Sequence, residues 1–152
     1  MSYNEIYGDL IHLAKKGTFD VIAHGCNCFS NMGAGLAVPM NLHFDVSQFP
    51  MELQGPSVEK LGNIDYKVVE KDGVAFTVVN AYTQFYPSVR LKPLDYEAIT
   101  LCMRKMNVVF KDKHIGLPQI GAGLAGGDWN RIKEIIQTEL TDCEVTVVIY
   151  KP

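Results

Sequence analysis

The sequence predicts a three-layer α/β/α fold around a mixed, mostly parallel central sheet. Short apolar runs alternate with segments of helical periodicity along the whole chain, and this alternation is typical of a sheet covered by helices on both faces. The last run, Val145–Tyr150, is apolar almost throughout, as expected of a strand buried on both sides. The Asp72-Gly73 pair favours a tight hairpin, so the sheet is expected to be mixed.

Length and composition indicate one domain of ordinary size. The chain has 152 residues, of which 47% are hydrophobic and 20% charged, as is normal for a globular protein that buries one core. No repeat, low-complexity tract or linker divides it. We therefore expect a single domain that spans residues 1–152.

The N-terminal half predicts two strands and two helices. In chain order these are a strand at Tyr3–Tyr7, a helical turn at Asp9–Lys16, a buried strand at Asp20–His24 and a helix from Gly35 to about His43. Residues 25–35 are expected to form a loop, because glycine stops the second strand.

The C-terminal half predicts a hairpin and then two further helix–strand pairs. Strands at Tyr66–Glu70 and Val74–Asn80 flank the Asp-Gly turn, and Pro93 is expected near the start of the next helix. The remaining elements are a strand at His114–Pro118, a loop at 121–127, a helix after Asp128 and the final strand.

Charge and cysteine usage exclude several classes of protein. The net charge is -3, so the chain lacks the basic character of a strong electrostatic nucleic-acid binder. Its four cysteines match neither a zinc pattern nor a disulfide framework. The N-terminus is unlike a signal peptide, and no apolar stretch spans a bilayer. We expect a cytoplasmic monomer with no membrane contact, metal or cofactor.

A glycine-rich segment follows the second predicted strand and runs into a helix. Gly33 and Gly35 lack side chains and so allow the backbone to approach a ligand closely. The helix start adds free N–H groups and the positive end of a dipole, which suit a diphosphate. Alternatively the glycines only shape a loop, because the segment lacks the longer dinucleotide fingerprint and the lysine of a phosphate loop.

A second segment, Leu117–Asp128, repeats the order of strand, glycine loop and helix start. Its glycines are Gly121, Gly123, Gly126 and Gly127. Ligands of layered α/β proteins bind in a crevice at the carboxyl ends of the strands. Two such loops at that edge predict a clamp around a diphosphate.

Three segments together resemble the macro domain family. They are Gly8-Asp9-Leu10, Asn31–Ala37 (NMGAGLA) and Ile120–Leu124 (IGAGL), and their order and separation also fit. The resemblance covers essentially the whole chain and implies an α/β/α macro-domain sandwich with an ADP-ribose cleft. The segment from His24 to Ala37 is most similar to the branch that contains ADP-ribose-1″-phosphate phosphatases and terminal ADP-ribose glycohydrolases, particularly on the phosphatase side.

The resemblance implies a ligand-binding set along the cleft. Its members are Asp9, Leu10, Asn31, Gly33, Ala34, Gly35, Leu36, Ala37, Gln119, Ile120, Gly121, Ala122, Gly123, Leu124 and Tyr150. Asp9 is implied to accept a hydrogen bond from the adenine amino group, although aspartate at this position also suits a helix N-cap. Tyr150 ends the last strand, where it is expected to stack on adenine.

Three residues are candidates for catalysis. His24, at a strand end, suits a general base, a nucleophile or a donor to phosphate oxygens; the alternative is a structural histidine. Asn27 is implied to contact the distal ribose, or else it is a turn residue. Asp128 suits the orientation of a water or a histidine, or else it caps a helix. Cys26 and Cys28 are interpreted as buried packing residues.

The expected activity is release of phosphate from ADP-ribose 1″-phosphate. The glycohydrolase reaction is implied to need a lysine after the mid-chain strand and an aspartate after the second loop; Val78–Gln84 holds no lysine, and Ala125 follows the loop. Two alternatives stay open: a hydrolase that removes ADP-ribose from modified protein or nucleic acid, and a module that binds ADP-ribose without turnover. The expected partner is thus ADP-ribose, its 1″-phosphate or an ADP-ribosylated macromolecule.

Overall fold

The computed structural model describes residues 2–29, 32, 35–46, 57–87 and 92–151. The strands are β1 (Tyr3–Gly8), β2 (Val21–Asn27), β3 (Ile64–Lys71), β4 (Val74–Gln84), β5 (His114–Leu117) and β6 (Glu144–Tyr150). The helices are α1 (Leu10–Lys15), α2 (Ala37–Phe44), α3 (Tyr96–Val109) and α4 (Trp129–Glu139), and a short 3-10 helix spans Val58–Lys60.

The strands form one sheet in the order β1-β6-β5-β2-β4-β3. All neighbours pair in parallel except β3 and β4, which are antiparallel. The predicted mixed, mostly parallel sheet is therefore confirmed. The final strand β6 lies between β1 and β5, in agreement with its apolar sequence.

Side chains that alternate along the strands form two cores, one on each face of the sheet. Ala23 of β2 belongs to the core that includes Met103 of α3 and Ile132 of α4. Ile22, its neighbour, belongs to the opposite core with Met40 of α2. This alternation confirms three layers. Among the described helices, none has the length and apolar composition needed to cross a bilayer.

The hairpin and the second strand show what local sequence encodes. Asp72 and Gly73 both have positive φ, 53° and 80°, as a two-residue hairpin turn requires. The strand predicted to stop before Gly25 instead continues to Asn27, because Gly25 pairs with Ala81 of β4.

Helix α3 begins later than the proline suggested. Asp95 caps it, since its Oδ1 accepts the backbone N–H of Ala98 at 3.0 Å. Leu94 forms an isolated antiparallel bridge with Gln84, so the chain directly after Pro93 is extended.

Candidate ligand cleft

A cleft of about 500 Å³ opens at the carboxyl edge of the sheet, above the neighbouring strands β2 and β5. The chain leaves β2 toward α2 on one face and leaves β5 toward α4 on the other. Diverging connections of this kind create the crevice in which open α/β sheets bind ligands.

The described lining of the cleft mixes polar and apolar residues and carries no charged side chain. It comprises His24, Gly25, Cys26, Asn27, Met32, Gly35, Leu36, Ala37, Thr83, Gln84, Pro87, Pro118, Gln119, Ile120, Gly121, Gly123, Leu124 and Ala125. None of these residues is an aspartate, glutamate, lysine or arginine. An anion held by this part of the chain must therefore be held by backbone N–H groups and uncharged side chains.

The connections after β2 and β5 touch at the cleft. We call residues 28–36 the first glycine loop and residues 118–127 the second glycine loop. Gly35 has φ of +62°, and a Cβ placed on it would lie 2.9 Å from Cδ1 of Leu124. Glycine is favoured here by its backbone conformation, and a larger residue would also displace the exposed side chain of Leu124.

Hydrogen bonds within its own backbone fix the shape of the second glycine loop. The N–H of Gly127 donates to Gly121 O at 2.8 Å, and the N–H of Gly126 donates to Gly123 O at 3.1 Å. The N–H groups of Gly123 and Leu124, by contrast, have no acceptor among the described residues. Gly123 is also open, since a Cβ there would meet nothing within 4 Å.

Across the cleft, α2 begins without a side-chain cap. Leu36 occupies the N-cap position and makes no side-chain hydrogen bond to the first turn. In the first turn the N–H of Val38 donates to Gly35 O at 3.3 Å, and Pro39 has no N–H. The N–H of Ala37 and the partial positive charge of the helix start are left for a ligand.

Two buried polar atoms beside the cleft lack partners among the described residues. They are Nδ1 of His24 and Oγ1 of Thr83. Both side chains are essentially inaccessible, with 1% and 0% of their surface exposed, and both residues line the cleft. Buried polar groups are nearly always hydrogen-bonded in native proteins, so these atoms indicate places where a ligand or a water is expected to bind.

The other ring nitrogen of His24 is occupied. Nε2 lies 2.6 Å from Oδ1 of Asn80 and 3.5 Å from Sγ of Cys26. Burial lowers the pKa of His24 to about 4, although the hydrogen bond with Asn80 acts in the opposite direction. The imidazole is therefore neutral at physiological pH.

Comparison with known proteins agrees with this architecture. No protein-family model matches the chain. An uncharacterized 17.5 kDa protein from the tk-vs intergenic region of Enterobacteria phage T4 is 34% identical over 155 residues, covering 97% of this chain and 96% of the phage protein. A macrodomain protein from Streptomyces coelicolor is 26% identical with a TM-score of 0.68, over 99% of this chain and 98% of the other.

The chain has the macrodomain fold. DarTG of Thermosipho africanus in complex with ADP-ribose shares the fold, with a TM-score of 0.74 and 19% identity over all of this chain and 42% of the longer protein. The resemblance to macro domains inferred from the three sequence segments is thereby confirmed at the level of the fold.

The macrodomain brings most of the predicted site residues together. His24, Asn27, Gly35, Leu36, Ala37, Gln119, Ile120, Gly121, Gly123 and Leu124 all line the cleft. Ala122 lies in the same loop, where its N–H donates to Gln119 O at 3.1 Å. Asn31, Gly33 and Ala34 lie outside the described residues.

Four other predicted residues lie away from the cleft. Asp9, Leu10 and Tyr150 lie farther along the carboxyl edge, where Gly8 pairs with Tyr150. Asp9 caps α1, because its Oδ1 accepts the N–H of His12 at 3.1 Å, while Leu10 is buried and Tyr150 is largely exposed. Asp128 caps α4 through the N–H of Asn130 at 2.9 Å, which favours the capping interpretation. The proposed contacts with adenine stay predictions.

The local role of Asn27 is also visible. Its Oδ1 accepts the N–H of Phe29 at 3.1 Å, which is the turn contact typical of asparagine. The residue nevertheless lines the cleft, so its turn role and a ribose contact are compatible.

The structure adds Thr83 and Gln84 to the candidate site. Both end β4 beside β2 and line the cleft. The sequence offered a signal for this pair, since two consecutive polar residues end the mid-chain strand. That signal is weak on its own, because a strand that emerges into solvent has the same pattern.

Proposed function

We propose that this macrodomain binds ADP-ribose in the cleft and hydrolyses the phosphomonoester of ADP-ribose 1″-phosphate to ADP-ribose and phosphate. The observation that carries the proposal is the contact of Gly35 with Leu124. It brings the uncapped start of α2 and the second glycine loop together over the ends of β2 and β5. The ADP-ribose complex of Thermosipho DarTG, which has the same fold, supports this choice of ligand.

Backbone donors supply the proposed diphosphate contacts. The N–H groups of Gly123 and Leu124 face no described acceptor, and α2 begins uncapped. Amides and a helix dipole of this kind bind phosphate without a basic side chain. The lack of charged side chains in the described lining fits such a ligand site.

The proposed chemistry uses His24 as a general base. A water attacks phosphorus, its proton moves to Nδ1 of His24, and the bond between phosphorus and the C1″ oxygen breaks with its electron pair on that oxygen. The leaving oxygen then takes a proton from the imidazolium or from solvent. The unpaired Nδ1 supports this role, and backbone N–H groups stabilise the developing charge.

Titration calorimetry with ADP-ribose tests the binding step. Gly123→Glu is expected to weaken binding by about 100-fold or more, because a carboxylate would occupy the phosphate site. The fold should survive, since a Cβ at Gly123 meets nothing within 4 Å. Gln137→Glu, on the exposed surface of α4, is the charge-matched control and should bind normally. Normal binding by Gly123→Glu would mean that the phosphates lie elsewhere.

Release of inorganic phosphate from ADP-ribose 1″-phosphate, measured with a chelator present, tests the reaction. We expect turnover by the wild-type protein and a loss of about 100-fold in His24→Gln. Equal rates in the two proteins would remove His24 from the mechanism. Release of ADP-ribose from ADP-ribosylated protein and nucleic acid is measured in the same experiment. If that release is faster than phosphate release, the protein is a hydrolase of ADP-ribosylated macromolecules and the phosphatase proposal is wrong. Tight binding without any turnover would identify a binding module.

A further inference from the structure

A chain of buried polar side chains leads from the β3–β4 hairpin to His24. The hydroxyl of Tyr82 donates to Oδ2 of Asp65 at 2.6 Å, and Nδ2 of Asn80 donates to Oδ1 of the same carboxylate at 2.9 Å. The chain ends at His24, whose Nε2 is 2.6 Å from Oδ1 of Asn80. All four residues are buried.

The surroundings of Asn80 decide which way its amide points. Nδ2 lies 3.0 Å from the backbone carbonyl of Val46 as well as next to Asp65. A carbonyl and a carboxylate oxygen only accept hydrogen bonds, so the amide NH₂ faces these two groups. A flipped amide would place its oxygen against two acceptors, which fixes Oδ1 toward His24.

The direction of the amide then decides the tautomer of His24. Oδ1 can only accept, so Nε2 must carry a proton, and a neutral ring has no second proton for Nδ1. We propose that Asn80, oriented by Asp65 and the Val46 carbonyl, is a positioning residue that holds His24 as the Nε2–H tautomer and makes Nδ1 a hydrogen-bond acceptor beside the cleft.

The neighbouring thiol does not reverse this assignment. Sγ of Cys26 is 3.5 Å from Nε2, and burial raises the pKa of Cys26 well above its usual value, so the group is a neutral thiol. If its S–H donated to Nε2, a lone pair on that nitrogen would face Oδ1 of Asn80 at 2.6 Å. That arrangement is repulsive, whereas an Nε2–H donor satisfies Asn80.

The tautomer restricts what His24 can bind. Nδ1 accepts from a hydroxyl or a water, and its lone pair disfavours an unprotonated phosphate oxygen. The partner of His24 is accordingly the attacking water or a ribose hydroxyl, while phosphate contacts come from the glycine loops. This role in the reaction rests on the proposed function, whereas the tautomer itself does not.

Long-range proton–nitrogen NMR of the ligand-free protein measures the tautomer directly. We expect wild-type His24 to show one protonated nitrogen, Nε2, with a slowly exchanging downfield proton. In Asn80→Ala the acceptor is lost, so that proton should exchange rapidly and the ring nitrogens should report a mixture of tautomers. The exchanged pair Asp65→Asn with Asn80→Asp keeps an acceptor at Nε2 and should restore the single tautomer.

Thr146→Val is the matched control for the loss of a buried polar group. It removes the hydroxyl that lies 2.9 Å from Nε2 of His114, so it should change the His114 signals and leave those of His24 in place. A wild-type proton on Nδ1 would overturn the proposal, as would unchanged His24 signals in Asn80→Ala.

A kinetic measurement separates the positioning role from the proposed function. If ADP-ribose 1″-phosphate is turned over, Asn80→Ala should lower kcat by about 10-fold with little change in KM, because binding depends on the loops. An unchanged kcat would overturn the positioning role. Absence of turnover in the wild-type protein would reject the phosphatase activity alone and leave the tautomer to the NMR result.

Discussion

Gly35 and Leu124 are the point of contact between the two glycine loops: Gly35 has φ of +62°, and a Cβ on it would lie only 2.9 Å from Cδ1 of Leu124. The first loop continues into α2 and the second into α4. The spacing of the two loops therefore depends on Gly35, which has no side chain of its own. A change at Gly35 should alter both the stability and the binding of the protein.

Gly35→Ala is expected to lower the free energy of unfolding by about 1–3 kcal/mol, because alanine is strained at positive φ and its methyl meets Leu124. ADP-ribose affinity should fall with it. Urea unfolding and calorimetry measure the two effects. Gly123→Ala is the control and should unfold like the wild type, since its added methyl meets nothing within 4 Å. A fully stable Gly35→Ala would contradict the positive φ of Gly35.

Thr83→Val is expected to raise the free energy of unfolding and to lower the affinity for ADP-ribose. The Thr83 hydroxyl is buried without a partner among the described residues, so a methyl of similar size should raise the free energy of unfolding of the ligand-free protein by about 1 kcal/mol. Affinity for ADP-ribose should fall by about 10-fold if the hydroxyl contacts the ligand.

Thr146→Val is the matched comparison for Thr83→Val. That hydroxyl already has partners in His114 and Asn4, so its loss should destabilise the protein without affecting the ligand. A destabilised Thr83→Val with normal affinity would show that the Thr83 hydroxyl serves the fold alone.

The pH dependence of stability should contain two opposing contributions. Burial lowers the pKa of His24 from 6.5 to about 4, so the unfolded chain binds more protons here and stability rises with pH between these values. Burial raises the pKa of Asp65 from 3.8 to about 6, against the hydrogen bonds from Tyr82 and Asn80. The folded chain then binds more protons at Asp65, and stability falls with pH over much the same window.

Asp65→Asn should therefore unmask the His24 contribution. Between pH 4 and pH 6 the variant should gain stability with pH more steeply than the wild type, by at most about 1.4 kcal/mol per pH unit. Urea unfolding at several pH values measures the slope. His24→Gln should show the reverse, with stability that falls as pH rises. Equal slopes in all three proteins would mean that neither group titrates abnormally.

Binding of ADP-ribose should depend little on salt. The described lining holds no charged side chain, so few charge–charge contacts are available for ions to screen. We expect Kd to change by less than about 3-fold between 0.05 and 0.5 M salt, measured by calorimetry. A steep loss of affinity would instead indicate basic side chains at the phosphates.

The sequence predicted the layers, the hairpin and the two glycine loops because local patterns encode them. The Asp72-Gly73 turn even fixes the register that places Asp65 opposite Asn80. The contact of Asn80 with His24 was out of reach, since it comes from the parallel pairing of β2 with β4, which no local pattern specifies. The length of β2 was underestimated for the same reason. Glycine typically ends a strand, and the pairing of Gly25 with Ala81 that continues β2 is not visible in the local sequence.

Recognition through the main chain has an evolutionary consequence. An amide N–H is the same in every residue but proline, so most substitutions in the second glycine loop leave Gly123 and Leu124 equally able to donate, provided the glycines that shape the turn persist. Selection on such a site acts on backbone shape and leaves side-chain identity free to drift. Macrodomains that share only 26% of their residues, as this chain and the Streptomyces protein do, can therefore retain one architecture.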